Sequence, residues 1–235
     1  MSSVFTKNTK TVYSVDFSRA GTCGQICGYC YVNRLQKMYK AYSAKIILNH
    51  KLAKQNPANF AAQLNLEYRK LKNRKHWEFL QKLPVRFYGS GDFIPEHLTI
   101  FQNIEFHSYL ISKNLTDINY ISYISDLLSI DKITSIVLSF DNDNLSNYGN
   151  VQSYFSQDRI QFAFTGMPSD FATAKEKYKF DIFFNIGKTK ASYQEAQVHN
   201  ERCKSTTGEL PTLNACVNCN ACWGSSKTEI EGWNN

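Results

Sequence analysis

The sequence predicts an α/β protein built on a parallel sheet. Short apolar segments typical of strands alternate with segments whose apolar residues recur at helical spacing, and about six such strands lie between residues 11 and 186. Strands joined through helices favour a parallel sheet with βαβ crossovers. The 235 residues are 43% hydrophobic and 20% charged. This composition excludes a disordered chain or a coiled coil and is enough for a sizeable core.

The first half of the chain supplies three of these strands. Tyr13, Val15 and Phe17 alternate along the first, and apolar residues at helical spacing after it predict two helices, the second beginning after Pro57. Two short apolar strands follow, the first closed by a glycine-containing loop. The predicted segments are strand 11–17, helix 35–46, helix 60–71, strand 85–88 and strand 108–111.

The second half repeats the alternation more regularly. The near-continuous apolar run 133–140 is typical of a strand buried on both faces. The predicted segments are helix 118–128, strand 133–140, helix 145–154, strand 160–164, helix 170–178 and strand 181–186. We assign residues 1–190 to one α/β domain and residues 191–235 to a C-terminal tail.

Charge is concentrated in the first third of the chain. Residues 1–82 contain 15 Lys and Arg against three Asp and Glu, within a total net charge of +7. The stretch 68–77 sets aromatic residues among cations, which fits either a nucleic-acid or phosphate-binding surface or a solvated helix face. This excess of positive charge predicts an anionic partner, which is either a nucleic acid or nucleotide or an acidic protein.

The start of the chain has no basic segment followed by an apolar stretch, and the longest apolar runs are too short to cross a bilayer. We therefore expect a cytoplasmic protein with no membrane partner.

Seven cysteines without an export signal argue against a disulfide framework and for metal ligation or redox chemistry. They form two groups, three near the start of the chain and four near its end.

The first group is Cys23, Cys27 and Cys30, a C-x3-C-x2-C loop directly after the first predicted strand. Such a loop can wrap three thiolates around a 4Fe-4S cluster and leave one iron open. A zinc knuckle or unrelated thiols are the alternatives. Zinc sites usually add a second cysteine pair or histidines, and the five histidines show no H-x3-H spacing near the loop.

This loop, with Tyr29 before its last cysteine, resembles that of the radical SAM superfamily. The resemblance covers roughly residues 11–187 and implies a partial (β/α)6 barrel, similar to a TIM barrel. It implies that Cys23, Cys27 and Cys30 hold a catalytic 4Fe-4S cluster whose fourth iron is chelated by S-adenosylmethionine (SAM). Electron transfer would release a 5′-deoxyadenosyl radical, which abstracts a hydrogen atom from the substrate. The chain is also similar to small, phage-associated proteins of this kind.

The resemblance further implies a set of cofactor-binding residues at strand ends. A glycine-rich loop after the second strand would bind the methionyl amine, the end of the fourth strand would contact the ribose, and the end of the fifth would back the adenine. In strand order the residues are Tyr29, Gly89, Ser90, Gly91, Asp92, Ser139, Asp141, Thr165 and Gly166, with Asp92 in place of the family's usual glutamate. Lys113, Asp141 and Lys188 are further candidates because they lie near strand ends.

The second group is Cys203, Cys216, Cys219 and Cys222. Three close cysteines and one remote cysteine resemble the ferredoxin arrangement and predict a second 4Fe-4S cluster without an open iron; a structural zinc site is the alternative. We therefore expect a radical SAM enzyme reduced by a flavodoxin or ferredoxin. A zinc-stabilised nucleic-acid-binding module and a two-cluster electron-transfer protein are the rival hypotheses.

Overall fold

The computed structural model describes residues 4–7, 13–23, 30–72, 84–155 and 159–186. These residues form seven strands and seven α-helices. The strands are β1 (Phe5–Lys7), β2 (Tyr13–Val15), β3 (Val85–Phe87), β4 (Ser108–Ser112), β5 (Ile133–Phe140), β6 (Ile160–Gly166) and β7 (Ile182–Asn185). The helices are α1 (Tyr31–Met38), α2 (Lys40–Gln55), α3 (Pro57–Lys72), α4 (Leu98–Asn103), α5 (Ile121–Leu128), α6 (Tyr148–Tyr154) and α7 (Pro168–Lys177).

The strands form one sheet in sequential order, from β1 to β7. β1 pairs with β2 antiparallel, with Phe5 opposite Val15, and every later pair is parallel. The predicted α/β class with a parallel sheet is thus confirmed. In a parallel sheet the carboxyl ends of the strands share one edge, so the loops that follow β2 to β6 meet there.

The sheet core forms where the sequence is most apolar. All eight residues of β5 are buried, as expected for a central strand covered on both faces. α3 presents Phe60, Ala61 and Leu64 to the same core, and each of these side chains is at most 1% exposed. Phe17 and Phe87 continue this core toward the carboxyl edge of the sheet.

Three elements differ from the sequence prediction. β1 was not predicted, because a three-residue strand is too short to show alternation. The predicted helix 35–46 is two helices, since the backbone leaves the helical region at Tyr39 (φ −121°, ψ 89°). α4 was also not predicted. The tail 191–235 lies outside the described residues, and in the part that is described no helix is long and apolar enough to cross a membrane.

Candidate functional site

The base of the cysteine loop is fastened to the loops after β3 and β4 through Thr22. Its hydroxyl donates to the Ser18 carbonyl at 2.7 Å and accepts from the Asp92 amide at 3.1 Å. The Thr22 carbonyl in turn accepts from Asn114 Nδ2 at 2.7 Å. Three loops that are distant in sequence therefore meet beside Cys23 at the carboxyl edge of the sheet.

A cavity of about 520 Å³ opens at this junction. Its lining residues are Gly21, Thr22, Cys23, Ile94, Asn114, Asp117 and Tyr120. Cys23 and Cys30 are both partly exposed, Cys30 carries a free thiol, and it directly precedes α1. The structure thus places Cys23 in the cavity lining and Cys30 at the start of the helix that follows the cysteine loop. Cys27 and Tyr29 lie outside the described residues.

The buried carboxylate of Asp92 accepts four hydrogen bonds at this junction. Its Oδ1 accepts from the Ser112 hydroxyl at 2.5 Å and the Phe93 amide at 2.7 Å. Its Oδ2 accepts from the amides of Lys113 at 2.9 Å and Asn114 at 3.2 Å. Burial raises the pKa of Asp92 to about 6, against the opposing effect of these four donors. The carboxylate therefore holds the loops after β3 and β4 together rather than facing the cavity.

The other residues of the predicted 89–92 loop hold it against the cysteine loop. The Ser90 hydroxyl donates to the Phe17 carbonyl at 2.8 Å, and the Phe17 amide donates to the Ser90 carbonyl at 2.9 Å. A Cβ at Gly89 would collide with the Arg86 guanidinium and the Asp16 carboxylate. Gly91 has a φ of +78° and lies against Phe17 and Thr22. A ligand in this loop would meet its backbone, because the Ser90 and Asp92 side chains are engaged within the protein.

Replacing Gly91 with alanine is expected to lower the unfolding free energy by about 2 kcal/mol or more. The new Cβ would lie 2.9 Å from the Phe17 carbonyl oxygen and 2.8 Å from Thr22 Oγ1, in a backbone conformation unfavourable for alanine. Gly149→Ala is the matched control: Gly149 lies in α6 with nothing within 4 Å of a Cβ, so this variant should gain up to about 1 kcal/mol. Urea unfolding measures both, and equal effects would contradict the account.

The candidate residues at the later strand ends occur in contacting pairs. Lys113 and Asp141, after β4 and β5, form an ion pair with side chains 13% and 7% exposed. The Ser139 and Thr165 hydroxyls, on β5 and β6, are 2.9 Å apart. Gly166 ends β6. The structure therefore brings most of the predicted strand-end residues to one edge, while Lys188 lies outside the described residues.

No sequence pattern indicated the buried aromatic cluster that lies beneath the 89–92 loop. Tyr88 has a φ of +63°, the one positive φ outside glycine in the described residues, and its hydroxyl lies 3.1 Å from His97 Nδ1. The ring of Phe17 lies 4.5 Å from that of His97. Left-handed backbone at a tyrosine is costly and persists where its surroundings hold it. The Tyr88–His97 contact therefore helps fix the start of the loop.

His97 is fully buried, and burial lowers its pKa to about 3, with a smaller contribution from His50. Because the folded-state pKa lies below the ordinary 6.5, the unfolded chain takes up the proton first on acidification, and stability falls as the pH drops from 7 toward 3. His97→Gln removes this contribution. Between pH 7 and pH 5, we expect the unfolding free energy of the parent to fall by about 2 kcal/mol more than that of the variant.

Urea unfolding at both pH values measures this difference. Carboxylates such as Asp92 titrate in both proteins, so their contribution to the pH dependence cancels when the parent and the variant are compared. Identical pH dependence in the parent and in His97→Gln would show that His97 is not held neutral by burial.

Within the described ranges, no group of three or more His, Cys, Asp or Glu side chains is placed to hold a metal ion. Cys23 and Cys30 supply thiol donors of the kind that iron-sulfur clusters take, and Cys23 lines the cavity, so the donor chemistry fits the predicted cluster. The second cysteine group (Cys203, Cys216, Cys219 and Cys222) lies outside the described residues.

No family model, curated protein or solved structure matches the chain.

Proposed function

We propose that the protein is a radical SAM enzyme in which Cys23, Cys27 and Cys30 hold a catalytic 4Fe-4S cluster. The observation that carries the proposal is the C-x3-C-x2-C spacing, with Cys23 lining a cavity of about 520 Å³ where the loops after three parallel strands meet and Cys30 directly preceding α1. The six parallel strands β2 to β7, in sequential order, support the finer assignment to a partial (β/α)6 barrel.

A 4Fe-4S cluster held by Cys23, Cys27 and Cys30 would supply the one electron needed to cleave the S–C5′ bond of SAM, giving methionine and a 5′-deoxyadenosyl radical that would take a hydrogen atom from the substrate. The protein residues bind and orient the reactants. The 89–92 loop offers its backbone to the methionyl group, and Asp92 fixes this loop through its four hydrogen bonds. Ser139, Asp141, Thr165 and Gly166, at the ends of β5 and β6, would hold the nucleoside, and the Lys113–Asp141 ion pair would keep the Asp141 side chain in place.

The four cysteines of the tail would hold a second 4Fe-4S cluster, with zinc as the alternative metal. The proposed electron donor is a flavodoxin or ferredoxin, and the proposed substrate is a nucleic acid or nucleotide, in keeping with the basic first third of the chain. Because a low-potential cluster needs a reducing compartment, we place the reaction in the cytoplasm.

The metal content of the full chain tests the assignment. After anaerobic reconstitution with iron and sulfide, we expect about eight irons per chain and little zinc. About four irons with one zinc would keep the first cluster and replace the second. Zinc without iron would overturn the proposal and favour the rival nucleic-acid-binding module stabilised by zinc.

A further inference from the structure

The outward surface of α1 and α2 carries cationic side chains without acidic ones. Residues 31–66 contain no Asp or Glu. Lys37, Lys40, Lys51 and Lys54 are exposed, and none of them forms an ion pair in the part of the chain that the structure describes. We refer to the surface formed by residues 37–40 and the outward side of α2 as the α1–α2 face. It presents an uncompensated positive potential to solvent.

The three exposed lysines of α2, which are Lys40, Lys51 and Lys54, share one side of the helix. Positions 40, 44, 47, 48, 51, 54 and 55 are exposed and recur at helical spacing, whereas Ile46, Asn49 and Ala53 are buried. At a rise of about 1.5 Å per residue, Lys40 and Lys54 are about 21 Å apart along the axis. The face is therefore an elongated strip rather than a point site.

Large apolar side chains lie between the lysines of this strip. Met38 and Tyr39 are each 54% exposed between Lys37 and Lys40. Ile47 and Leu48 are about half exposed on the outward side of α2. Aromatic and aliphatic side chains set among cations form the kind of surface on which unpaired bases stack while phosphates contact the lysines.

The strip also begins close to the cysteine loop. α1 starts directly after Cys30, so Lys37 lies about 10 Å along the helix axis from that cysteine. A polymer lying on the α1–α2 face would therefore reach the cysteine loop. By contrast, in the basic stretch 68–77, Arg69 already pairs with Glu105.

We propose that the α1–α2 face binds single-stranded nucleic acid and guides it to the cysteine loop; the guiding role rests on the proposed function, whereas the binding does not. A duplex hides the base faces that Tyr39 and Met38 would contact. A second copy of this chain would bring lysine against lysine. A bilayer would require a continuous apolar stripe, and lysines interrupt this one.

Fluorescence anisotropy tests the binding with the full, reconstituted chain. The probes are a fluorescein-labelled 20-nucleotide RNA and DNA of mixed sequence, the corresponding duplexes, and flavodoxin as an acidic protein. The test variant is Lys51→Glu with Lys54→Glu. The control is Lys177→Glu with Lys179→Glu, which makes the same change in net charge at two exposed lysines of another surface.

We expect the test variant to bind the single strands at least about tenfold more weakly and to lower the slope of log K against log salt by about 1.4, the value for two lost phosphate contacts. The control should bind within about twofold of the parent. Equal weakening in both variants, tighter binding of the duplexes, or binding of flavodoxin alone at this face would overturn the proposal. Formation of 5′-deoxyadenosine without oligonucleotide is scored separately, so failure of the proposed function is distinguished from failure of binding.

Discussion

Replacing Cys30 with alanine is expected to remove about four irons per chain and to lower 5′-deoxyadenosine formation at least about a hundredfold, to background. The reason is coordination: the predicted 4Fe-4S cluster has three thiolate ligands, and two ligands are too few to retain it. The fold should be retained, because the Cys30 side chain makes no capping hydrogen bond to α1. The readouts are iron and sulfide content and chromatographic quantification of 5′-deoxyadenosine with dithionite as reductant.

Cys219→Ala is the matched control for Cys30→Ala. It removes a cysteine of the second group, so it should cost a similar number of irons while dithionite, which reduces the first cluster directly, still supports SAM cleavage. The account would be contradicted if Cys30→Ala retained its product, or if both variants lost it equally.

Asp92→Ala is expected to lower the unfolding free energy by about 4 kcal/mol or more, the largest effect on stability that we predict. The Asp92 carboxylate is 3% exposed and accepts from one hydroxyl and three backbone amides on two loops. Alanine leaves these donors buried without an acceptor, at about 1–3 kcal/mol each, reduced where water enters. Urea unfolding followed by circular dichroism measures the loss.

Two further variants calibrate the Asp92 result. Asp92→Asn keeps one carbonyl oxygen and is expected to cost about half as much. Asp126→Ala, at an exposed position of α5, should stay within about 0.5 kcal/mol of the parent. A loss below about 1 kcal/mol for Asp92→Ala would mean that the four hydrogen bonds do not hold the two loops together.

The parts of the fold with strong local patterns were predictable from the sequence. The eight-residue apolar run of β5 and the alternation in β6 predicted strands that the structure contains. β1 lacked such a pattern, because three residues are stabilised by pairing with β2 rather than by their own propensity. The break at Tyr39 was also hidden, since apolar residues continue at helical spacing across it.

The candidate site likewise contains some residues that the sequence indicated and others that it did not. Cysteine spacing is local, so the sequence alone predicts a cluster site at Cys23, Cys27 and Cys30, and Lys113 and Asp141 were identifiable as residues at strand ends. The pairing of Tyr88 with His97 had no sequence signal, because it depends on a left-handed backbone at Tyr88 and on the packing of Phe17. The role of Asp92 also depends on donors that only the fold brings together.

The most direct test of the account is formation of 5′-deoxyadenosine by the parent protein. The anaerobically reconstituted chain, incubated with SAM and dithionite, is expected to release 5′-deoxyadenosine and methionine in equal amounts, and omission of either reagent should abolish both products. A protein that carries its full complement of iron and sulfide but forms no 5′-deoxyadenosine would contradict the assignment as a radical SAM enzyme.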